Sequence, residues 1–275
     1  MIREQRFNGI LYPDNYNETK KIINEAMDRV FDVKVPSPRM IIVPNESYRV
    51  ASDYYAASYD PVQNIDPDIV IIISTVHNIA FKGIALPAFT GFRYFDHIFE
   101  VEKSAAGMIA EMFEGSFIVE TDYHGEEFSI ETQLPMLDYI FKNKPKILPI
   151  LIGEQTTKFT TVLANALYKI CFATNKKILI VLPTILSTGL KYEDAKRMDS
   201  LFVDVLNAGK ADHLAEQLAM RVISADNGAG IVSALRLIEK ENKVFKFRQL
   251  KSGNTGDHID EKNIVTGYLS GLILE

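Results

Sequence analysis

Five β-branched residues run unbroken from 69 to 73, and the chain then turns polar through Ser74, Thr75, His77 and Asn78. A short run that is apolar on both faces predicts a central strand of a parallel sheet, covered by helices on each side. Further strands are predicted at 40–43, Phe117–Glu120, Lys146–Ile152 and 178–182. Val244, Phe245 and Phe247 alternate with Lys246 and Arg248 as another strand would, and 264–274 reads as a last strand or strand pair. Apolar residues recur at helical spacing over 17–29, with Asn17 as the expected N-cap, and over Tyr48–Tyr59 and 102–114. Ile130, Leu134, Leu137 and Phe141 mark a helix that Pro135 must kink or restart. Longer helices follow at 159–170, 193–206, Ala211–Ala219 and 228–239.

Between these elements, residues 7–13 form an aromatic-rich lead-in that ends at a turn proline. Pro36 and Pro38 break the chain before the first long strand, and 80–100 reads as loops and short strands. Thr184 to Gly189 is expected just past the strand at 178–182, with Ser187 a turn residue. No internal repeat and no low-complexity linker divides the chain. The expected fold is therefore α/β, one domain over 1–275, with a central largely parallel sheet flanked by helices.

Composition narrows the partners more than the activity. The 275 residues are 47% hydrophobic and 24% charged, as in an ordinary globular protein. A net charge of -6 with no long basic run argues against nucleic acid and anionic membranes as partners. The single cysteine, Cys171, rules out an intrachain disulfide and a cysteine zinc site, and fits a reducing compartment. It falls beside the buried stripe of its helix and reads as an inert core thiol. The first six residues have no apolar core, and no apolar run approaches the roughly 18 residues of a membrane helix. A cytoplasmic protein is the expectation.

Ligands of open α/β sheets bind beyond the carboxyl ends of the strands, which makes His77 the first residue to suspect of chemistry. Asn45 and Glu46 follow another strand directly, and Asn78 adjoins His77. His124, Glu127 and Glu131 offer a second polar group, either as a metal site with His77 or, more plainly, as a solvated helix entry. Asp226-Asn227-Gly228 reads as an N-cap. Asn227 to Gly230 could also cradle a phosphate or nucleotide, though without dinucleotide or Walker spacing, and close helix packing explains its glycines as well. Aromatics from Phe89 to Phe99 read as a satellite core.

Several segments, in order, resemble the Memo family, the protein B of the AmmeMemoRadiSam set, itself similar to class III extradiol dioxygenases. Gly9-Ile10-Leu11-Tyr12-Pro13 is similar to the family's opening Ala-Gly-x-Phe-Tyr-Pro. Residues 42–48, Ile-Val-Pro-Asn-Glu-Ser-Tyr, stand where the family has Ile-Ala-Pro-His-Ala-Gly-Tyr, and Ala56, Ala57 and Tyr59 match the family's next residues. Residues 73–78, Ile-Ser-Thr-Val-His-Asn, resemble Leu-Gly-Pro-Ser-His-His. Residues 127–135 resemble Glu-His-Ser-Ile-Glu-x-x-Leu-Pro most closely. Residues 180–189 lie where the family reads Val-x-Ser-Ser-Asp-Phe-x-His-x-Gly, Asp226 to Gly228 lie near its Cys-Gly, and Tyr268 lies near its terminal Tyr-Ala-Ala.

The resemblance implies a metal held by two histidines and a cysteine. The matching positions here are Asn45, His77 and Asp226. The family's other site residues are replaced by Phe128, Thr184 and Ser187, so His77 alone is unchanged. An amide oxygen is a poor donor to iron, so any metal here is expected to be weak and hard, magnesium or calcium rather than iron. Losing the general base at Ser187 removes about 10²–10⁴ in rate from ring opening, and Ser187 has no nucleophile elbow of its own. The leading expectation is a non-catalytic binding or scaffold protein with a degenerate dioxygenase-type pocket and no cofactor. The alternative is a metal-dependent oxidoreductase or hydrolase using His77, Asp226 and Asn45. By resemblance, partners would be an AMMECR-type protein or a radical SAM protein, and the pocket could take a small-molecule ligand.

Overall fold

The computed structural model describes residues 1–30, 38–260 and 262–275; Pro36 lies outside them. The chain opens with β1 (Ile2–Arg3), α1 (Tyr16–Met27), β2 (Met40–Pro44), α2 (Tyr48–Tyr59) and β3 (Ile69–Thr75). Next come β4 (Ile84–Pro87), β5 (Gly91–Tyr94), β6 (His97–Glu100), α3 (Lys103–Met112), β7 (Phe117–Glu120), α4 (Asp122–Gly125) and α5 (Leu134–Ile140). The second half carries β8 (Lys146–Ile152), α6 (Thr157–Ala173), β9 (Ile178–Leu190) and α7 (Tyr192–Asn207). It closes with α8 (Ala211–Ala219), α9 (Gly228–Lys240), β10 (Lys246–Asn254) and β11 (Val265–Leu274).

Among the described residues, eight strands form one sheet in the order β10-β11-β2-β9-β3-β8-β4-β7. Its centre is parallel: β3 pairs residue for residue with β8 on one side and with β9 on the other, and β2 runs parallel to β9. The β10-β11-β2 end is antiparallel, and so is the β4–β8 junction. A small sheet, β1-β5-β6, packs apart from it. The fold is a single α/β domain.

Why β3 sits at the centre follows from its side chains. Ile69, Ile71 and Ile73 point into a core shared with α3, α6, α8 and α9, where Leu163, Leu214 and Leu235 are fully buried. Val70 and Ile72 point the other way, against Tyr48 and Tyr55 of α2, Leu134 and Leu137 of α5, and Phe92 and Phe99 of the small sheet. Each such side chain removed from water contributes roughly 1.5–3 kcal/mol, as an upper figure. Only a strand flanked on both faces can use all five.

Several boundaries differ from the sequence expectation. Asn15, not Asn17, caps α1: its side chain accepts from the Glu18 amide at 3.1 Å, and Asn17 lies inside the helix. Pro135 restarts its helix. A 3₁₀ turn at Glu131–Gln133 leads into α5, whose first turn holds the proline where a missing amide proton costs nothing. Val244 is exposed and Phe245 precedes β10, while 264–274 resolves as one strand rather than a pair. The largest difference is in β9, which runs on through Thr184 to Gly189. Pairing with β11 (Thr188 opposite Thr266, Ile185 opposite Tyr268) holds extended a stretch whose Pro, Thr, Ser and Gly read locally as a turn. No helix among the described residues is long and apolar enough to cross a membrane.

Candidate functional site

The carboxyl ends of β3, β9 and β8 meet the loops before α5 and α9, and His77 stands where they converge. Its ring is engaged on both sides. Nδ1 lies 2.8 Å from Glu127 Oε1, and Nε2 lies 3.1 Å from Asp226 Oδ2. Two carboxylates can both accept only if both ring nitrogens carry protons, so this geometry is that of an imidazolium. Burial alone would lower the histidine pKa, but the hydrogen bonds to Asp226 and Glu127 overcome it and push it up to about 10. The Phe128 ring lies over the imidazole, 4.7 Å between centroids.

Both carboxylates are fixed by backbone. Glu127 is fully buried and accepts from the amides of His77 (2.9 Å), Phe128 (3.1 Å) and Ser129 (3.0 Å). Burial works against its charge, but His77 and these amides hold it below the usual carboxylate range. Asp226 Oδ1 accepts from Ile185 N and Asn227 N, both at 2.7 Å. The Asp226 carbonyl takes the Thr75 hydroxyl at 2.6 Å and the Gln155 amide at 2.7 Å. Strands β3 and β9 and the loop after β8 thus all grip one aspartate. It accepts from β9 and from His77 and does not cap α9, contrary to the sequence reading.

The other candidates make contacts of their own. Asn45 is buried, with its side-chain amide 3.3 Å from the Thr132 hydroxyl. Glu46 folds back on the Ser47 amide at 2.7 Å, and the Asn78 side chain donates to the Glu126 carbonyl. Thr184 is buried and spends its hydroxyl on Leu182 O at 3.1 Å. Ser187, in β9 and not in a turn, donates its amide to Asp199 Oδ1 at 3.0 Å. His124 is no solvated helix entry. It is fully buried, its Nε2 donates to Ala85 O at 3.2 Å, and burial pushes its pKa down to about 4. The α9 start is not an open phosphate cradle either: Gln155 Oε1 accepts the Ala229 amide at 3.1 Å, and Gly228 is seated against Leu218. Asn227 turns inward, donating to Ile73 O and Pro183 O.

A second polar centre joins Glu131, a candidate from the sequence, to Arg3, which the sequence reading missed. Arg3 is buried and ion-pairs with the fully buried Glu131, whose carboxylate also accepts the Tyr12 hydroxyl (2.6 Å) and the Phe7 and Arg6 amides. This node straps the aromatic lead-in to the start of α5. An arginine two residues from the start, with no periodic context, carries no local signal of burial.

The comparisons with known proteins agree with the fold. The family described as Memo-like protein matches residues 3–272. The chain belongs to it. A "MEMO1 family protein" of Desulfurococcus amylolyticus is 28% identical over 94% of both chains, and one of Nitrosopumilus maritimus is 25% identical over 98% of both. Among solved structures, an uncharacterized protein, JW3007, of Escherichia coli K12 shares the fold with a TM-score of 0.51 and 11% identity. That match covers 86% of this chain and 99% of that one.

The metal that the Memo resemblance implies does not fit these residues. His77 has no free ring nitrogen: each already faces a carboxylate oxygen. Among the described residues, no group of three or more histidine, cysteine or carboxylate side chains is arranged to hold a metal ion.

Proposed function

We propose that this Memo-family chain is a non-catalytic binding protein whose dioxygenase-type sheet edge has become an ionic clasp. One observation carries the reading: Glu127 and Asp226 occupy both nitrogens of His77, the one residue unchanged from the family's ligand pattern. An imidazole held this way can neither ligate a metal nor accept a proton. The replacements at Asn45, Phe128, Thr184 and Ser187 support the same conclusion, since each removes a ligand or base from the family's pattern. The resemblance suggests an AMMECR-type or radical SAM protein as the partner class, and the lone Cys171 suggests a cytoplasmic setting.

A competing reading makes His77 and Asp226, 3.1 Å apart, two ligands of a weak divalent metal in a rearranged oxidoreductase or hydrolase site. Metal analysis of protein purified without chelator decides between them. The clasp predicts no stoichiometric metal in the native chain or in His77→Ala, and no oxygen uptake with a catechol after incubation with ferrous iron. Stoichiometric metal in the native chain that disappears in His77→Ala would establish the competing reading.

A further inference from the structure

On the other face of the Asp226 loop lies a cavity of about 670 Å³ between the end of β9, the first turn of α6 and the helices α8 and α9. None of His77, Glu127, Phe128 or Asn45 lines it. Its size is that of a small-molecule site. Leu218, Ile223 and Val232 form an apolar floor, while Thr157, Thr188 and Ser224 bring hydroxyls to the rim. Among the described residues, one charged side chain lines it, that of Arg221, and no carboxylate does. The Arg221 guanidinium has no hydrogen bond or ion pair among the described residues, in a chain whose net charge is negative. Arg221 also occupies the left-handed position just past α8, with φ +56°, where glycine is the usual residue. An arginine there costs roughly 1–2 kcal/mol in backbone energy. Arg221 is an exposed cation beside a cavity with no other charged lining residue among those described.

We propose that this cavity binds a small amphipathic anion, its apolar body on the Leu218–Ile223–Val232 floor and its carboxylate, phosphate or sulfonate on Arg221. The first turn of α6, seventeen residues long and capped by Thr156, adds a favourable field at the same rim. A guanidinium offers paired donors to a planar or tetrahedral anion, and the rim hydroxyls can donate to its remaining oxygens. The site does not depend on the clasp reading, because it uses no residue of the clasp.

The test uses two dyes with one ring system. Anilinonaphthalene sulfonate carries an anion, and phenyl naphthylamine does not. The full native chain should bind the sulfonate at one site, more tightly than the neutral dye. Arg221→Gly, which suits the left-handed backbone and should fold at least as well, should weaken the sulfonate about tenfold or more while leaving the neutral dye unchanged. Arg221→Lys should keep most of the sulfonate affinity. Ala215→Phe, which fills the cavity from α8, should abolish both. Displacement of the sulfonate by hexanoate or by hexyl phosphate, but not by hexanol, tells which anionic group the site takes. Sulfonate binding that is absent from the native chain, indifferent to Arg221→Gly or intact in Ala215→Phe would overturn the proposal. A melting curve for each variant separates a lost site from a lost fold.

Discussion

Glu127 Oε1 lies 2.8 Å from His77 Nδ1 and also accepts the amides of Phe128 and Ser129, so the loop before α5 holds the histidine at the end of β3. With Asp226 on the opposite nitrogen, the imidazole stands between two carboxylates.

The clasp gives stability a definite dependence on pH. His77 holds its proton up to about 10 when folded, against 6.5 in an unfolded chain, so the folded state binds the extra proton between those values. Its contribution is therefore complete below about pH 6.5 and is lost as pH rises through 10, on the order of 5 kcal/mol. Urea unfolding from neutral to alkaline pH should show this decline in the native chain and much less of it in His77→Gln. Equal slopes would mean that the histidine is not held as a cation.

Glu131 should be among the least replaceable charges in the chain. Glu131→Gln leaves the buried Arg3 guanidinium without its counter-charge, a change that typically costs about 3–5 kcal/mol. Arg3→Met should cost less, because the Tyr12 hydroxyl and the Phe7 and Arg6 amides still serve the carboxylate. Denaturant midpoints of the two variants test the order, and a milder Glu131→Gln would contradict it.

Asp199 should prove destabilising at neutral pH. Burial raises its pKa to about 6, against 3.8 for the unfolded carboxyl, and the Ser187 amide offsets this only in part. The folded state therefore favours the protonated form, and the penalty grows from about pH 4 and is complete above 6. Asp199→Asn, whose oxygen can still accept from Ser187, should raise stability by about 1–2 kcal/mol at pH 8 and by almost nothing at pH 4. Calorimetry at the two pH values reads the difference directly.

How much of this was legible beforehand depends on the range of the interactions. The runs at β3 and β8 and the spacing of α2 and α8 are local patterns, and the structure matches their boundaries closely. The extension of β9 past Thr184 depends on β11, some eighty residues away, and no local rule reaches it. His77 and Asp226 were both singled out from the sequence, but the role of Glu127 rests on a contact fifty residues distant that turns a candidate ligand into a clasped cation. His124 misled for the opposite reason: a histidine among acidic residues reads as solvated, while the fold buries it beneath Phe92.

The most direct measurement is nitrogen NMR of the His77 imidazole, assigned by its loss in His77→Gln, between about pH 6 and pH 9. The account predicts that both ring nitrogens stay protonated across that range and do not respond to stoichiometric zinc or ferrous iron. A neutral ring near pH 7, or a nitrogen signal shifted by one equivalent of metal, would contradict it.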